Sequence, residues 1–334
     1  MNPALSTLHE LPRIRRGWPG THGTLTFEQY DESGRLRAGR IHADGTVTLA
    51  EYASDPKLPE LAPPTAGELV VHRLGKRGVI IYEHSVRKFL RPQRVESVAT
   101  ATHAAHELCA PTGIRTAQVI TTTPGSLSTE KLPGATLHQL ADDGLAGWRR
   151  FGQLWPEVVR QRHHCARPHH ATSECQVLQE WLGHATRFGA IPAPERCQQL
   201  VAEICNELQQ PQGELVVCHR DLHDKQLLWD GHDLCLLDTD TLTMAEAALD
   251  LGNLLAHAEL RYLQGVLSAA SLQQVRDILH TLAATLEVPQ QRLNAYTRSA
   301  AARLAFVYAF RPHAKPWLAQ WLAHCFTQQR KETE

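Results

Sequence analysis

Two carboxylates and a side-chain amide stand close together in one stretch of the chain. Leu215 to Cys218 is an apolar run leading into His219-Arg220-Asp221; Gln226 follows five residues after Asp221, and a second apolar run, Leu234 to Leu237, delivers Asp238. Apolar runs of this length read as short strands, so a polar loop is expected between two paired strands with an acid at each end. Two acids and an amide so placed can grip a divalent metal, which takes hard oxygen ligands. A carboxylate beside the metal can accept the proton of an attacking hydroxyl.

Other residues of chemical interest lie earlier in the chain. Glu68 to His72 and Val79 to Tyr82 read as strands joined by Arg73-Leu74-Gly75-Lys76-Arg77-Gly78. Two glycines and two cations in a hairpin turn can lie over an anion, with backbone N–H groups pointing inward. The same residues also suit an ordinary hairpin with a solvated basic tip. Ser85 to Leu90 is a third strand, with Lys88 inside it. A lysine there either snorkels to solvent or pairs with an acid of the next helix, Arg94 to Leu108, which carries Glu96 in its first turn and Glu107 near its end. Such a pair would aim the ammonium at phosphate oxygens.

Bland readings win elsewhere. His163-His164-Cys165, His169-His170 and Cys175 match no familiar zinc spacing and read as a solvated interhelix loop. Asp142-Asp143 suits a helix start, and Trp317 with Trp321 suits core packing at helical spacing. Asp240 fits either the surroundings of a metal or a turn.

The elements that must position these residues come in two groups. Residues 1–23 read as an irregular lead-in. Alternation then marks a small antiparallel meander: Leu25 to Tyr30, Leu36 to Ile41 and Val47 to Tyr52, with turns at Asp31-Glu32-Ser33-Gly34 and Ala43-Asp44-Gly45. A proline-rich connector, Asp55 to Thr65, leads to the strands already named and to two more, Gln118 to Thr121 and Ser128 to Leu132. After Pro133-Gly134 the chain is helical in character: Trp148 to Arg162, Val177 to Phe188, Glu195 to Leu208, Ala247 to Gln264, Ser271 to Leu286, Pro289 to Phe310 and Pro316 to Gln329. The division expected is an N-terminal extension with a β-meander (1–65), a strand-rich lobe (66–133) and a helical lobe (134–334), with the site in the cleft between the lobes.

Composition narrows the function classes. The 334 residues are 43% hydrophobic, enough for about two domains. Thirty-four basic residues balance 35 acidic ones, so no strong field favours nucleic acid or an anionic membrane. No apolar run approaches the ~20 residues needed to span a bilayer, and the N-terminus has no continuous apolar stretch of a secretory signal. Eight scattered cysteines without a CxxC pair suit reduced, buried thiols in a cytoplasmic protein.

Taken together, His219-Arg220-Asp221-Leu222-His223-Asp224-Lys225-Gln226 and the Asp238 that follows twelve residues later resemble the catalytic and metal-binding segments of the aminoglycoside phosphotransferase and choline kinase-like family. The Gly75/Gly78 turn, Lys88, the helix acid, the Glu130-Lys131-Leu132-Pro133-Gly134 hinge and Ala248-Leu249-Asp250-Leu251-Gly252-Asn253 arrive in the order that family has, over about residues 68 to 325. The resemblance implies an α+β, bilobal protein-kinase-like fold and transfer of the γ-phosphate of ATP (or GTP) to a hydroxyl of a sugar, aminoglycoside or related natural product, with Mg2+. It implies Asp221 as the catalytic base and Gln226 and Asp238 as metal ligands. Lys88, Glu96, Gly75 and Gly78 would serve the nucleotide phosphates, and Glu130 and Leu132 the adenine slot. Asp250 would brace the catalytic loop, His219 would fix its geometry, and His223 and Lys225 would approach the transferring phosphate. The chain departs from the family in having Gln226 for the usual Asn, Thr239 after Asp238, and a sparse glycine turn. These departures motivate the alternative of a catalytically weak pseudokinase that binds nucleotide in a regulatory role. Only twelve residues separate Asp238 from Asp250, too short a platform for a peptide substrate; the expected partners are a nucleotide and a small hydroxylated substrate.

Overall fold

The computed structural model describes residues 2–162, 168–210 and 213–327. The chain opens with helix α1 (Pro3–Glu10), whose N-terminus is capped by Asn2 accepting the Ala4 N–H. Strands β1 (Ile14–Pro19), β2 (Leu25–Tyr30), β3 (Leu36–Ile41) and β4 (Val47–Leu49) then form an antiparallel sheet in sequence order. Alternation turns Leu25 and Phe27 of β2, and Leu36 and Ala38 of β3, into the interior. The expectation of an irregular lead-in over 1–23 is corrected: α1 and β1 bury Leu5, Leu8 and Ile14. A two-turn helix carries too few apolar repeats to be read from periodicity, and it is tertiary packing that holds it.

The second sheet is built from β5 (Glu68–Arg73), β6 (Arg77–Ile81) and β7 (Ser85–Leu90), with helix α2 (Pro92–Cys109) crossing behind. Strand β8 (Ile114–Thr116) precedes β9 (Val119–Thr123) and β10 (Ser126–Glu130), and the order across the sheet is β5-β6-β7-β10-β9. Beyond the hinge come β11 (Ala135–Thr136), α3 (Leu137–Leu140), α4 (Leu145–Val159), α5 (Ala171–Arg187) and α6 (Pro194–Leu208). The motif region supplies β12 (Leu215–Cys218), β13 (Leu227–Trp229), β14 (Leu234–Leu236) and β15 (Thr243–Glu246). Helices α7 (Ala247–Leu263), α8 (Ala269–Thr285), α9 (Gln290–Tyr308) and α10 (Leu318–Thr327) close the chain. The fold is α+β, an antiparallel sheet lobe joined to a mostly helical one.

The two apolar runs that bracket the motif do not pair with each other. β12 pairs with β15, whereas β14 lies between β13 and the parallel β8 in a sheet of order β11-β13-β14-β8. The three-residue β13 was not legible as a strand, because Leu227-Leu228-Trp229 lies within the polar loop and shows no alternation. The two strand pairs fix both ends of the loop separately, to β15 at one side and to β13 and β8 at the other.

A large core joins Leu5, Leu8 and Phe27 of the N-terminal segment to Phe188, Phe306 and Phe310 of the helical lobe. A second core gathers Trp148, Phe151 and Trp155 of α4 with α7, α8 and β14. Trp321 is buried and its indole N–H donates to the Ala301 carbonyl at 3.0 Å, the core role expected of it. Among the described residues seven cysteines are free and buried, and burial pushes the Cys205 thiol up to about 12. His163, His164 and Cys165 lie outside the described residues. His169 is buried against Glu174 at 3.1 Å. No helix among the described residues is long and apolar enough to cross a membrane.

Candidate active site

The sheet lobe and the β13–β14 hairpin enclose a cavity of about 240 Å³. Val71, Val79 and Val86 of the sheet face Leu236 and Leu237 of the hairpin, and Ala117 and Leu132 close the hinge side. Flat apolar walls on both faces suit a planar ring. The polar lining consists of Arg77, Lys88, Thr102, Thr129, Glu130, Gln226, Asp238 and Thr239. Of the residues expected from sequence, Lys88, Glu130, Leu132, Gln226 and Asp238 therefore meet around one cavity.

Lys88 is the most constrained of them. From the middle of β7 its Nζ donates to Asp238 Oδ1 at 2.6 Å and lies 3.5 Å from Asp240 Oδ1. Burial works to lower the ammonium's pKa, but Asp238 and then Asp240 outweigh it and raise it above the ordinary lysine value. Burial likewise works to raise Asp238, yet Lys88 and Arg77 hold its carboxyl well below the usual carboxylate range. Asp240, in the short turn Thr239–Thr241, is thus a second acidic partner of Lys88 beside Asp238.

The expected Lys88–Glu96 pair is not formed. Helix α2 buries Val95, Val98, Ala99 and Thr102 toward the sheet, and Glu96, one residue off that stripe, is exposed. Glu107 is exposed as well. Thr102 is the α2 residue that reaches the cavity lining.

The glycine turn is also reassigned. Gly75 (φ +66°) donates its N–H to the Asp55 carboxylate, and its carbonyl accepts from Arg91 Nε at 2.7 Å. Gly78 is buried where a Cβ would stand 3.1 Å from Leu61. Its missing side chain makes room for the core, and neither glycine lines the cavity. Arg77, between them, does.

The loop after β12 is clamped from beneath. Asp250, at the start of α7, is fully buried and accepts the backbone N–H groups of His219 at 2.6 Å and Arg220 at 2.9 Å. Burial pushes its carboxyl up to about 6, against the opposing pull of His219 and the two N–H bonds. His219 donates Nε2–H to the Leu237 carbonyl at 2.8 Å, and Thr241 Oγ1 donates to the His219 carbonyl at 2.9 Å. Asn253 Nδ2 donates to the Leu222 carbonyl at 2.8 Å. Asp221 is left exposed on a loop whose neighbours on both sides are held. Arg220 (φ +75°) and Asp238 (φ +52°) both adopt left-handed backbone, a strained conformation for non-glycine residues that concentrates at sites where side chains must be aimed. The Gln226 carbonyl accepts the Leu237 N–H at 2.8 Å, which fixes Gln226 beside Asp238.

A second polar group, not foreseen from sequence, surrounds Asp224. Its buried carboxylate accepts Arg261 Nε at 2.7 Å and Arg261 Nη2 at 3.1 Å, and His138 Nδ1 at 2.9 Å. The His223 ring stacks on His257 with centroids 4.6 Å apart. His223, Asp224 and His257 are the converging group of metal-ligating side chains among the described residues, but Arg261 already neutralises Asp224. The ion pair explains why an acid can stand at this point of the loop, and the sequence carried no signal for its partner 37 residues away.

Residues 82–278 match the phosphotransferase enzyme family APH. The chain belongs to this family. It is therefore a phosphotransferase acting on a hydroxyl acceptor, the class that the Asp221–Asp238 segment implied. No curated protein sequence matches the chain. Solved structures similar to it include a choline/ethanolamine kinase family protein from Mesorhizobium loti, 14% identical with a TM-score of 0.53, covering 83% of this chain and 92% of that one. The amicoumacin kinase hAmiN, in complex with AMP-PNP, Ca2+ and Ami, is 11% identical with a TM-score of 0.54, covering 94% of this chain and 88% of that one. APH(2")-IIia, in its GDP and kanamycin complex, is 12% identical with a TM-score of 0.50, covering 82% and 96% respectively. These likenesses concern the fold and match the bilobal kinase-like arrangement.

Proposed function

We propose that this phosphotransferase is a small-molecule kinase that moves the γ-phosphate of ATP or GTP to a hydroxyl of a sugar or related natural product, with Mg2+. The observation that carries the reading is the convergence of Lys88, Gln226 and Asp238 on one apolar-walled cavity, with the Asp221 loop clamped to the same floor. The solved complexes with AMP-PNP and Ca2+, and with GDP, belong to relatives of the same fold and support a nucleotide in this cavity.

In this reading the base of the nucleotide lies between the valines of the sheet and Leu236, against Glu130 and Leu132. Lys88 and Arg77 meet the phosphate charge. The Asp238 carboxylate and the Gln226 amide oxygen are hard donors on one lining, as a magnesium ion requires, and the Lys88 ammonium bridging Asp238 and Asp240 marks where positive charge is favoured. When bound, the ion neutralises charge on the phosphate oxygens. Asp221 orients the acceptor hydroxyl and takes its proton as the acceptor oxygen bonds to the γ-phosphorus. The bond from phosphorus to the β-phosphate oxygen breaks, and the nucleoside diphosphate leaves. Positioning and charge account for most of the rate in such transfers.

The test is phosphate transfer to a panel of sugars and amino alcohols with magnesium and each nucleotide, comparing the wild type with Asp221→Ala. A base of this kind is worth about 10²–10⁴-fold, so kcat should fall by that factor with nucleotide binding retained. Full activity in Asp221→Ala would remove Asp221 from the mechanism. Nucleotide binding without turnover across the panel would favour the regulatory pseudokinase.

A further inference from the structure

Asp250 and Asn253 hold the catalytic loop as far as Leu222, and the loop is fixed a second time at Asp224, three residues after Asp221. Every oxygen of Asp224 is bonded. Oδ2 accepts Arg261 Nε at 2.7 Å and His138 Nδ1 at 2.9 Å, Oδ1 accepts Arg261 Nη2 at 3.1 Å, and the backbone carbonyl accepts the His138 N–H at 3.2 Å. Asp224 and Arg261 are both buried. On the far side, the Gln226 N–H donates to the His223 carbonyl at 2.8 Å, which closes the loop toward the cavity.

The partners of Asp224 are themselves held. Arg261 stands in the last turn of α7, where Nη1 donates to Gln264 Oε1 at 2.8 Å and Nη2 to His257 Nδ1 at 3.2 Å. His257, one turn earlier, stacks on the His223 ring at 4.6 Å, so the residue before Asp224 is packed on the same helix. His138 comes from the other side, in α3, four residues past the hinge glycine Gly134. Gly134 (φ +94°) lies so close to the Trp229 backbone that a Cβ would stand 2.7 Å from it. β11 pairs with β13, and Thr136 Oγ1 accepts the Gln139 N–H at 3.1 Å to cap α3. The hinge side and α7 therefore grip one carboxylate between them.

We propose that Arg261 and His138 are positioning residues of the phosphoryl transfer: through Asp224 they set where Asp221 stands relative to Gln226 and the cavity. The inference rests on the kinase reading above, because it takes Asp221 as the base. Asp221 is exposed and its carboxylate has no hydrogen bond or ion pair among the described residues, so its place is set by the backbone on either side. Stability alone does not call for a buried ion pair there, since apolar residues of the same volume hold a fold as well or better. What the pair adds is direction. A guanidinium fork fixes a carboxylate in distance and in plane, which an apolar contact does not. Direction matters at this point, because a reacting group displaced by about 1 Å costs on the order of 10²-fold in rate.

The experiment measures steady-state transfer over the same acceptor panel, nucleotide KM and melting temperature for wild type, Arg261→Lys, His138→Ala, His138→Asn and the double variant Asp224→Leu/Arg261→Met. Each is also built on Asp221→Ala. Arg261→Lys keeps the charge and loses the fork, so kcat should fall by about 10–100-fold with nucleotide KM unchanged. His138→Ala should lower kcat by about tenfold, and His138→Asn, whose amide N–H takes the place of Nδ1–H, should restore it. The double variant should melt close to wild type yet be as slow as Arg261→Lys, which a merely structural pair would not be. On Asp221→Ala none of these changes should lower kcat further, because losses from residues that act as a unit do not multiply. Should the Arg261 variants fail to fold, the part-exposed His138 decides the question. Folded variants with wild-type kcat, losses confined to nucleotide KM, or losses that multiply with Asp221→Ala overturn the inference and leave the kinase reading standing. No transfer by wild type, or full activity in Asp221→Ala, removes the kinase reading and this inference with it.

Discussion

At Lys88 a single ammonium answers two carboxylates, Asp238 at 2.6 Å and Asp240 at 3.5 Å. On the proposed reading a divalent cation uses these same oxygens, so the lysine and the metal would compete for them before nucleotide arrives. Removing the lysine takes the nearest counter-charge from two part-buried carboxylates, and they should take a cation from solution. Lys88→Ala is therefore expected to bind Mn2+ roughly tenfold or more tightly than wild type in the absence of nucleotide, and to lose nucleotide affinity. Calorimetric Mn2+ titration of the two proteins checks it; equal affinities would mean that Asp238 and Asp240 do not form a cation site. Asp250 offers a pH readout at the same scale. Its folded pKa, about 6, lies above the ordinary value of 3.8. The folded state therefore holds this proton more tightly than the unfolded chain does, and the stability so gained is full below about pH 4 and is lost by about pH 6. The melting temperature of wild type relative to Asp250→Asn should accordingly fall between those limits and level off above them. A flat difference across pH 4–7 would show that the two N–H bonds, and not burial, dominate this carboxyl.

Among the elements, α7 does the most positioning. It presents Asp250 to the His219 and Arg220 amides and Asn253 to the Leu222 carbonyl from a helix packed directly on α9. Gly252 permits that approach: a Cβ there would stand 2.7 Å from Thr297 N and Tyr296 C. In an open helix Gly→Ala gains about 1 kcal/mol of propensity. Here the contacts are backbone atoms that cannot rotate away, and overpacking costs about 1–3 kcal/mol or more. Gly252→Ala should be net destabilising, lowering the melting temperature by several degrees and kcat with it, because the clamp under Asp221 moves. A stabilised Gly252→Ala protein would show that α7 and α9 can separate at no cost. The same element shows what sequence can convey. Long periodic helices and regular strands were legible, Leu36–Ile41 and Ser85–Leu90 to the residue. Short elements such as α1, β13 and β15 were not, since three to eight residues carry little pattern and tertiary pairing decides them. Motif spacing brings Gln226 and Asp238 to one cavity and sets Asp250 under the loop that carries Asp221, because neighbours in sequence stay neighbours on one loop. Glu96 was misread although the α2 stripe at Val95, Val98, Ala99 and Thr102 places it outside. Partners remote in sequence, such as Asp224 with Arg261 or Glu28 with the His72 N–H, leave no local trace.

Across the whole molecule the N-terminal segment is the unexpected structural member. It touches the sheet lobe through Glu28 and the His72 N–H, and the helical lobe through Gly17 and the Phe310 carbonyl. Its apolar residues, Leu5, Leu8 and Phe27, belong to the same core as Phe188, Phe306 and Phe310. An appendage folded on its own would have its own core and melt in its own transition. A shared core predicts the opposite, that this segment and the helical lobe unfold together. Leu8 is fully buried, and Leu8→Ala should cost about 2–5 kcal/mol through lost burial and the cavity left behind. Scanning calorimetry should show that cost as a shift of the main transition by several degrees, reported alike by far-ultraviolet signal and by the fluorescence of Trp181, which packs on Phe310. A separate low-temperature transition that alone responds to Leu8→Ala would make the segment an independent unit. With a common transition, β1 is held to the helical lobe by the same packing that holds that lobe together.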